Sequence, residues 1–249
     1  MLFHARTMEH YHIEATDGKI GKVDDLYFDD DLWTVRYFVV ETGPWLFGTK
    51  VLLSPASVTG TDSEKKTVRV SLTTEQVKGS PSVDLKEPVS RQEEHRLYRY
   101  YRLMPYWEGP DVWATSPYAT DLPIAGPDYE SDPGQPPGAD SHLRSVKEVT
   151  DYTVAAMDGE VGNVEDFVVE SASWVMRYAV VNIGKWFSGK HVLVSLDWFD
   201  EVRWAERSVY VGLTKEAILS APAYHSENTL NRSYEERLHD YYNAPKYWE

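Results

Sequence analysis

Two predicted strands decide the fold. They read Asp17-Gly18-Lys19-Ile20-Gly21-Lys22-Val23-Asp24-Asp25 and, after an acidic turn, Trp33-Thr34-Val35-Arg36-Tyr37-Phe38-Val39-Val40. The pair Asp17-Gly18 is a typical two-residue hairpin turn, here between His12–Ala15 and Ile20–Phe28. The segment Trp33–Glu41 is rich in β-branched and aromatic residues, which favour strands. The sequence therefore predicts two successive hairpins near the start of the chain.

Further short strands and a helix complete this pattern. Strands are predicted at Val51–Ser54 and Val68–Leu72, and Thr73 or Thr74 can cap the short helix that follows. Ser90 with Glu93 forms a capping box ahead of a longer helix over Glu94–Arg102. Short strands at this spacing, with few helices, predict a small barrel or sandwich.

The whole pattern occurs twice, because the chain matches itself without an insertion at a separation of 141 positions, as from Asp17 to Asp158. The match extends beyond the strands to the end of the chain, where Tyr106-Trp107-Glu108 returns as Tyr247-Trp248-Glu249. Ser233 with Glu236 offers the second copy a capping box ahead of a helix over Arg237–Tyr242. We predict a first copy over 1–108 and a second over 142–249, each a barrel with a tail helix. They are joined over 109–141 by a linker rich in Pro, Gly and acidic residues.

The second hairpin predicts a cross-strand ion pair in each copy. If Asp30-Asp31 is a two-residue turn, Asp25 faces Arg36, and Asp166 faces Arg177 in the second copy. Opposite charges across an antiparallel pair stabilise its register by about 0.2–1 kcal/mol. We therefore interpret these four residues as structural ion pairs.

The motif D-G-x-x-G-x-V-x-D followed by a hydrophobic strand resembles the PRC-barrel domain. It is present at 17–25 and again at 158–166, and the similarity covers about 10–83 and 151–224. The family is named after the cytoplasmic domain of the photosynthetic reaction centre H subunit and includes a domain of a ribosome-maturation factor. The resemblance implies two small, antiparallel PRC-type β-barrels in a mainly β protein. It also implies action through protein–protein contacts and no catalytic residue set, and a link to photosynthetic or other electron-transfer assemblies is a further expectation of the resemblance.

Composition narrows the classes of function. The net charge of −15 disfavours binding to nucleic acid phosphates or anionic lipids. The chain has no cysteine, which excludes thiolate catalysis and cysteine-ligated metals. No apolar run is long enough for a signal peptide or a transmembrane helix, so we expect a cytoplasmic protein.

No pattern predicts a catalytic, cofactor or metal site. None of the eight histidines recurs at the equivalent position of the other copy, so no site shared by both copies depends on histidine. His10 and His12 could flank a metal with Asp17, although surface or strand histidines are the favoured interpretation. The turn Asp29-Asp30-Asp31 could hold a hard cation, but its counterpart Glu170-Ser171-Ala172 is not acidic, and a solvated turn is favoured.

Aromatic residues are the candidates for contacts with a partner. Trp45 and Trp186 lie in glycine-rich turns, and the tails carry Tyr106, Trp107, Tyr247 and Trp248. The alternative is that the turns fold back on their barrels and that each tail covers its own barrel or the other one. We expect a non-enzymatic module that binds proteins, including itself. Two alternatives stay open: an enzyme or small-ligand binder with a cleft between the barrels, and a ribosome- or RNA-associated factor, which the charge disfavours.

Overall fold

The computed structural model describes residues 1–42, 50–83, 89–103, 105–107, 142–184, 189–225 and 230–248. The predicted linker over 109–141 lies outside these residues. The chain divides into two compact units. The first unit comprises Ala5–Lys147 and Ser171–Val175, and the second comprises Met1–His4, Glu148–Glu170 and Met176–Glu249. The units therefore do not coincide with the two sequence copies.

The first unit contains one seven-stranded sheet. Its main path has the order β5-β4-β3-β2-β7-β6, and β8 pairs with β3 beside this path. The strands are β2 (His12–Ala15), β3 (Gly18–Asp29), β4 (Thr34–Glu41), β5 (Lys50–Leu53), β6 (Val58–Asp62), β7 (Thr67–Val70) and β8 (Leu143–Ser145). Apolar side chains alternate inward along β2 and β3, and β4 is buried along nearly its whole length.

The second unit repeats this topology. Its sheet has the order β12-β11-β10-β9-β14-β13, and β1 pairs with β10. The strands are β1 (Leu2–His4), β9 (Thr153–Ala156), β10 (Gly159–Glu170), β11 (Met176–Asn182), β12 (His191–Ser195), β13 (Phe199–Arg203) and β14 (Ser208–Val211). Strand for strand, the sheet follows the first unit, which agrees with the repeat in the sequence.

The mainly β class is confirmed, but the sheets differ from the prediction in two respects. Within the described residues, the strands at the two ends of each sheet are not hydrogen-bonded to each other, so closed barrels are not confirmed. The sheets are also not wholly antiparallel, because β2 pairs in parallel with β7, and β9 with β14. This parallel pairing arises because β7 and β14 return to the outer side of the first hairpin of each sheet after three intervening strands.

Within the described residues, five α-helices lie outside the sheets: α1 (Thr74–Lys78), α2 (Arg91–Tyr101), α3 (Val146–Val149), α4 (Lys215–Leu219) and α5 (Arg232–Tyr242). The predicted capping box of Ser90 is present, and of the two predicted caps of α1 it is Thr73 that caps the helix, in a capping box with Gln76. The predicted cap at Ser233 is wrong. Asn231 caps α5 instead, and its side chain accepts a hydrogen bond from the backbone N–H of Tyr234. No helix of the described chain is long and apolar enough to cross a membrane.

The predicted register of the second hairpin, and with it the ion pair between Asp25 and Arg36, is wrong. Asp25 lies opposite Val39, and β3 and β4 are joined by a four-residue turn after the pair Asp29–Thr34. Two register shifts interrupt the ladder, one of them beside Arg36. The second copy behaves alike, because Asp166 lies opposite Val180 rather than Arg177. The bulges were not visible in the sequence, and they shift every later pair.

Exchanged strands explain why units and copies differ. The strand β1 is the first strand of the first copy but pairs with β10 of the second, and β8 is the first strand of the second copy but pairs with β3 of the first. Ser171–Val175, the turn of the second copy's hairpin, also belongs to the first unit. There the buried Trp174 ring packs edge-on against Phe38, with 4.9 Å between the ring centroids.

Candidate functional site

In each unit, the predicted site residues that the structure describes lie in two separate polar clusters. Trp45 and Trp186 lie outside the described residues. Tyr106 and Trp107 lie with Arg36 where the tail helix meets the sheet, and Tyr247 and Trp248 lie with Arg177 in the same way. We call these the tail clusters. Asp25 and Asp166 lie elsewhere, beneath the exchanged strands β8 and β1, and we call these places the arm acceptors.

A buried carboxyl group, that of Glu94, forms the centre of the first tail cluster. Its side chain has no exposed surface and accepts hydrogen bonds from Arg91 at 2.9 Å, Tyr37 at 3.0 Å and Tyr106 at 3.2 Å. Burial raises the pKa of Glu94 to about 8, against the opposing effect of Arg91. Groups with such shifts serve as general acids in enzymes. Here the three donors come from the sheet, from α2 and from the tail, so the carboxyl joins these elements.

Two arginines stack on the tail aromatics of the first unit. The Arg36 guanidinium lies 4.0 Å from the centroid of the Tyr106 ring and 3.5 Å from an oxygen of Asp29. The Arg91 guanidinium lies 4.1 Å from the centroid of the Trp107 ring. Arg36 is 1 % exposed and Tyr106 3 %, so the cation–π contact takes place out of water, where it is strongest. The Tyr106 ring is thus part of the core, while Trp107 is partly buried.

The second tail cluster keeps the same arrangement around Glu235. This carboxylate accepts hydrogen bonds from Tyr178 at 3.0 Å and Tyr247 at 2.7 Å, and Arg232 lies 3.2 Å away. Arg177 pairs with Glu170 at 2.5 Å and stacks on Tyr247 at 4.1 Å. Trp248 is likewise covered by an arginine, with Arg232 at 4.0 Å from its ring centroid.

A buried histidine further distinguishes the second tail cluster from the first. His239, 1 % exposed, stands in the second copy where the first copy has Tyr98. Its Nε2 lies 3.0 Å from the Tyr178 hydroxyl and its Nδ1 lies 2.7 Å from the carbonyl of Pro245. A carbonyl oxygen can only accept a hydrogen bond, so Nδ1 of His239 must carry a proton. This hydrogen bond connects α5 to the chain that follows it.

Asp25 marks the arm acceptor of the first unit. Its carboxylate is buried and accepts hydrogen bonds from the Ser145 hydroxyl and from the backbone N–H groups of Leu26 and Lys147. Burial raises the pKa of Asp25 to about 6. Ser145 is the last residue of the exchanged strand β8, so the carboxylate holds the end of that strand.

Asp166 plays the same part in the second unit with different chemistry. It lies 3.1 Å from Nδ1 of His4, which occupies the position equivalent to Ser145, and accepts from the backbone N–H of Phe167 at 2.7 Å. Nε2 of His4 lies 2.7 Å from the Tyr224 hydroxyl. A chain of three polar groups therefore holds β1 on this sheet.

The motif residues of the first hairpin each have a structural role. The Asp17 carboxylate accepts the backbone N–H of Thr74 at 2.7 Å and so caps α1, and Asp158 does the same for Lys215 at 2.6 Å. Gly18 has a φ of +151°, which disfavours any residue with a side chain. A Cβ at Gly21 would lie 2.3 Å from the carbonyl oxygen of Glu41, so only glycine allows this approach of β3 to β4.

Residues 4–77 match the family described as PRC-barrel domain. This segment is a PRC-barrel domain. No curated protein matches the chain. The match ends before the tail helix, so the tail cluster joins Arg36 and Tyr37 of the matched segment to residues that follow it. That the second copy is another PRC-barrel domain remains a prediction.

The first unit also contains a group of three possible metal ligands, Asp30, Asp31 and His142, whose ligand atoms lie within 4.8 Å of one another. The site holds its own cation, because Arg144 lies 3.1 Å from Asp30. Exposed acidic groups of this kind are common without a metal, and the contacts describe an ion-pair network with the exchanged strand.

Sequence reasoning missed Glu94, Glu235, His4 and Ser145. The two glutamates could have been found, because both recur at the same place in the tail and flank the predicted helices. His4 and Ser145 could not, because they differ between the copies and precede the recognisable motif. Their role depends on the exchange of strands, for which the sequence carries no local signal.

Proposed function

We propose that this chain is a non-enzymatic protein-interaction and assembly module made of two PRC-barrel units, each of which accepts an added β-strand. The observation that carries the proposal is the pairing of β8 with β3 and of β1 with β10. In both units a short strand from a distant part of the chain occupies one edge of the longest strand.

The geometry of β3 explains why this edge accepts a strand. On one side β3 pairs with β4 from Lys22 to Asp29. On the other side β2 covers only Gly18 to Lys22, and β8 covers Tyr27 to Asp29. Without β8, the end of β3 would present unpaired N–H and C=O groups, which readily pair with another chain. Strand addition to such an edge is a common mode of peptide recognition.

Several expectations belong to this proposal. We expect each sheet to function as a PRC-type barrel and the module to act in the cytoplasm on protein partners, including a second copy of the chain. The net charge of −15 supports a protein rather than an RNA partner. Of the predicted partner contacts, Trp107 and Trp248 at the partly exposed tails, and Trp45 and Trp186 in the turns, stay candidates. Tyr106 serves the internal tail cluster.

The proposal is tested by opening one acceptor and offering its strand as a separate peptide. A chain lacking Met1–His4 is titrated with a fluorescent peptide of the sequence of residues 1–6. We expect saturable binding with a Kd of about 10 µM to 1 mM, as few residues are in contact. Hydrogen exchange should show renewed protection of Val168–Glu170.

The intact chain is the control. Its own β1 acts at an effective concentration of about millimolar or above, so it should bind little peptide. A truncated chain that keeps its circular dichroism spectrum yet neither binds the peptide nor regains protection would refute strand acceptance.

A further inference from the structure

Charge distinguishes the two exchanged arms. We define the basic arm as 142–147, which carries His142, Arg144 and Lys147, and the apolar arm as 1–6. At the three equivalent positions the apolar arm has Met1, Phe3 and Arg6. The two arms thus occupy similar edges with different side chains.

The acceptor of the first unit is acidic where it meets the basic arm. Arg144 lies 3.1 Å from Asp30, and both side chains are 10 % exposed. Lys147 lies 3.0 Å from Asp24. The backbone N–H of Asp30 also donates to the carbonyl of His142 at 2.9 Å, so charge and strand pairing meet at the same residue.

The acceptor of the second unit lacks the first of these two charge pairs, although Glu165 and Arg6 stand at the positions of Asp24 and Lys147. Ser171 and Ala172 stand where the first copy has Asp30 and Asp31. The arm that this acceptor binds has Phe3 at the position of Arg144. Asp30 and Arg144 therefore occur together in the first unit, and the two equivalent positions of the second unit carry neither an acid nor a base.

An uncharged arm would be costly on the first acceptor. Burial already raises the pKa of Asp30 to about 6, with Arg144 as the strongest opposing influence. Without Arg144 this carboxylate loses its buried guanidinium partner and keeps only the contact with the more exposed His142 at 3.2 Å, which compensates the lost solvation less well and so destabilises the bound state. The carboxylate thereby selects against a strand without a base, as opposite charges do at other specific interfaces.

We infer that Asp30 and Arg144 form a pairing code, which makes the first acceptor specific for a basic β-strand and leaves the apolar arm to the second. The partner that fits the first acceptor is an extended segment with a base at the position of Arg144. The basic arm supplies it within the chain, and a second copy of the chain could supply it between chains. This inference rests on the strand acceptance proposed above.

The two copies provide the variants for the test. Arg144→Phe gives the basic arm the residue of the apolar arm, and Asp30→Ser gives the acceptor the residue of the second copy. Hydrogen exchange of the full chain at pH 8 is followed at 27–29 and 143–145. We expect Arg144→Phe to accelerate exchange there at least about tenfold, because it breaks a largely buried ion pair. Adding Asp30→Ser should restore most of the protection.

Two controls accompany the comparison of Arg144→Phe with the double variant. Arg96→Phe makes the same change on the exposed face of α2 and should leave exchange at 27–29 unchanged, and the amides of β12 report whether the second unit stays folded. The pairing code is overturned if Arg144→Phe exchanges like the wild type, or if the double variant exchanges as fast as Arg144→Phe. The peptide titration on the truncated chain probes the other acceptor, so failure of the proposed function can be told apart from failure of the code.

Discussion

Removal of the Glu94 carboxyl tests whether the tail cluster holds the tail on the sheet. The change Glu94→Ala leaves Arg91, Tyr37 and Tyr106 without their shared acceptor in a site that has no exposed surface. Removing one partner of a buried ion pair costs about 3–5 kcal/mol. For a unit of this size, about 1 kcal/mol corresponds to roughly 4 °C in Tm, so we expect the unfolding transition of the first unit to fall by roughly 12–20 °C.

The second unit supplies a matched control for this prediction. Glu235→Ala removes the equivalent carboxylate, but the Arg232 side chain is 48 % exposed and can be hydrated, whereas that of Arg91 is 10 % exposed. We therefore expect a smaller loss for Glu235→Ala, about half that of Glu94→Ala on the same scale. Calorimetry of the full chain measures both. A decrease below about 3 °C for Glu94→Ala, or equal decreases for the two variants, would refute this account of the cluster.

The raised pKa of Glu94 also predicts how the stability of the first unit depends on pH. Because burial raises the folded pKa to about 8, above the value of the unfolded chain, the folded state binds the proton more tightly. The stability due to this proton is fully present below the unfolded pKa and is lost as the pH rises through about 8. Glu94→Gln should reduce this slope in denaturant titrations at several pH values, and an unchanged slope would contradict the burial argument.

The remaining predictions concern the exchanged strands and the motif. The chain has no cysteine, so Leu2→Cys with Glu170→Cys should form a disulfide on mild oxidation, because these residues lie opposite each other. Leu2→Cys with Asp29→Cys, the pair within one copy, should not, and the reverse result on non-reducing gels would contradict the exchange. Burial raises the pKa of Asp30 to about 6, above the value in the unfolded chain, so this group lowers the stability of the fold as the pH rises from about 4 to 6. Asp30→Ser should remove this part of the decline. Denaturant titrations at several pH values that match those of the wild type would count against the prediction. Gly21→Ala should cost about 1–3 kcal/mol or more, as its Cβ meets a backbone carbonyl. Gly79→Ala, whose Cβ meets the movable Tyr100 hydroxyl, should cost less in chemical denaturation, and equal costs would refute the steric argument.

Local signals were sufficient for many elements. The first hairpin, the cap of α1 at Thr73 and the capping box of Ser90 each involve a few adjacent residues, and the structure contains all three, although the hairpin turn is Thr16-Asp17, one position before the predicted Asp17-Gly18. The register of the second hairpin failed because it was counted from an assumed two-residue turn. Two bulges and a four-residue turn alter that count, and they depend on packing across the sheet rather than on neighbours in the sequence.

The candidate sites show the same division. The two copies keep Arg36 and Arg177, and they were recognised as partners of acidic residues. Their true partners, Asp29 and Glu170, lie four positions beyond the predicted Asp25 and Asp166. Because side chains on one face of a strand recur every two residues, several acids were compatible with each arginine. Only the observed register distinguishes them.

The sequence by itself determined the duplication, the PRC-barrel resemblance, and the tail helix of each unit, because each is recorded in residues close together or repeated at a constant separation. Only the tertiary structure decided where the first strand of each copy pairs. Both copies offer a similar edge, so the two destinations differ by the free energy of contacts between residues more than a hundred positions apart, such as Asp30 and Arg144. Local propensity does not contain that difference, and the three-residue strands that the exchange orders carry no periodic pattern of their own.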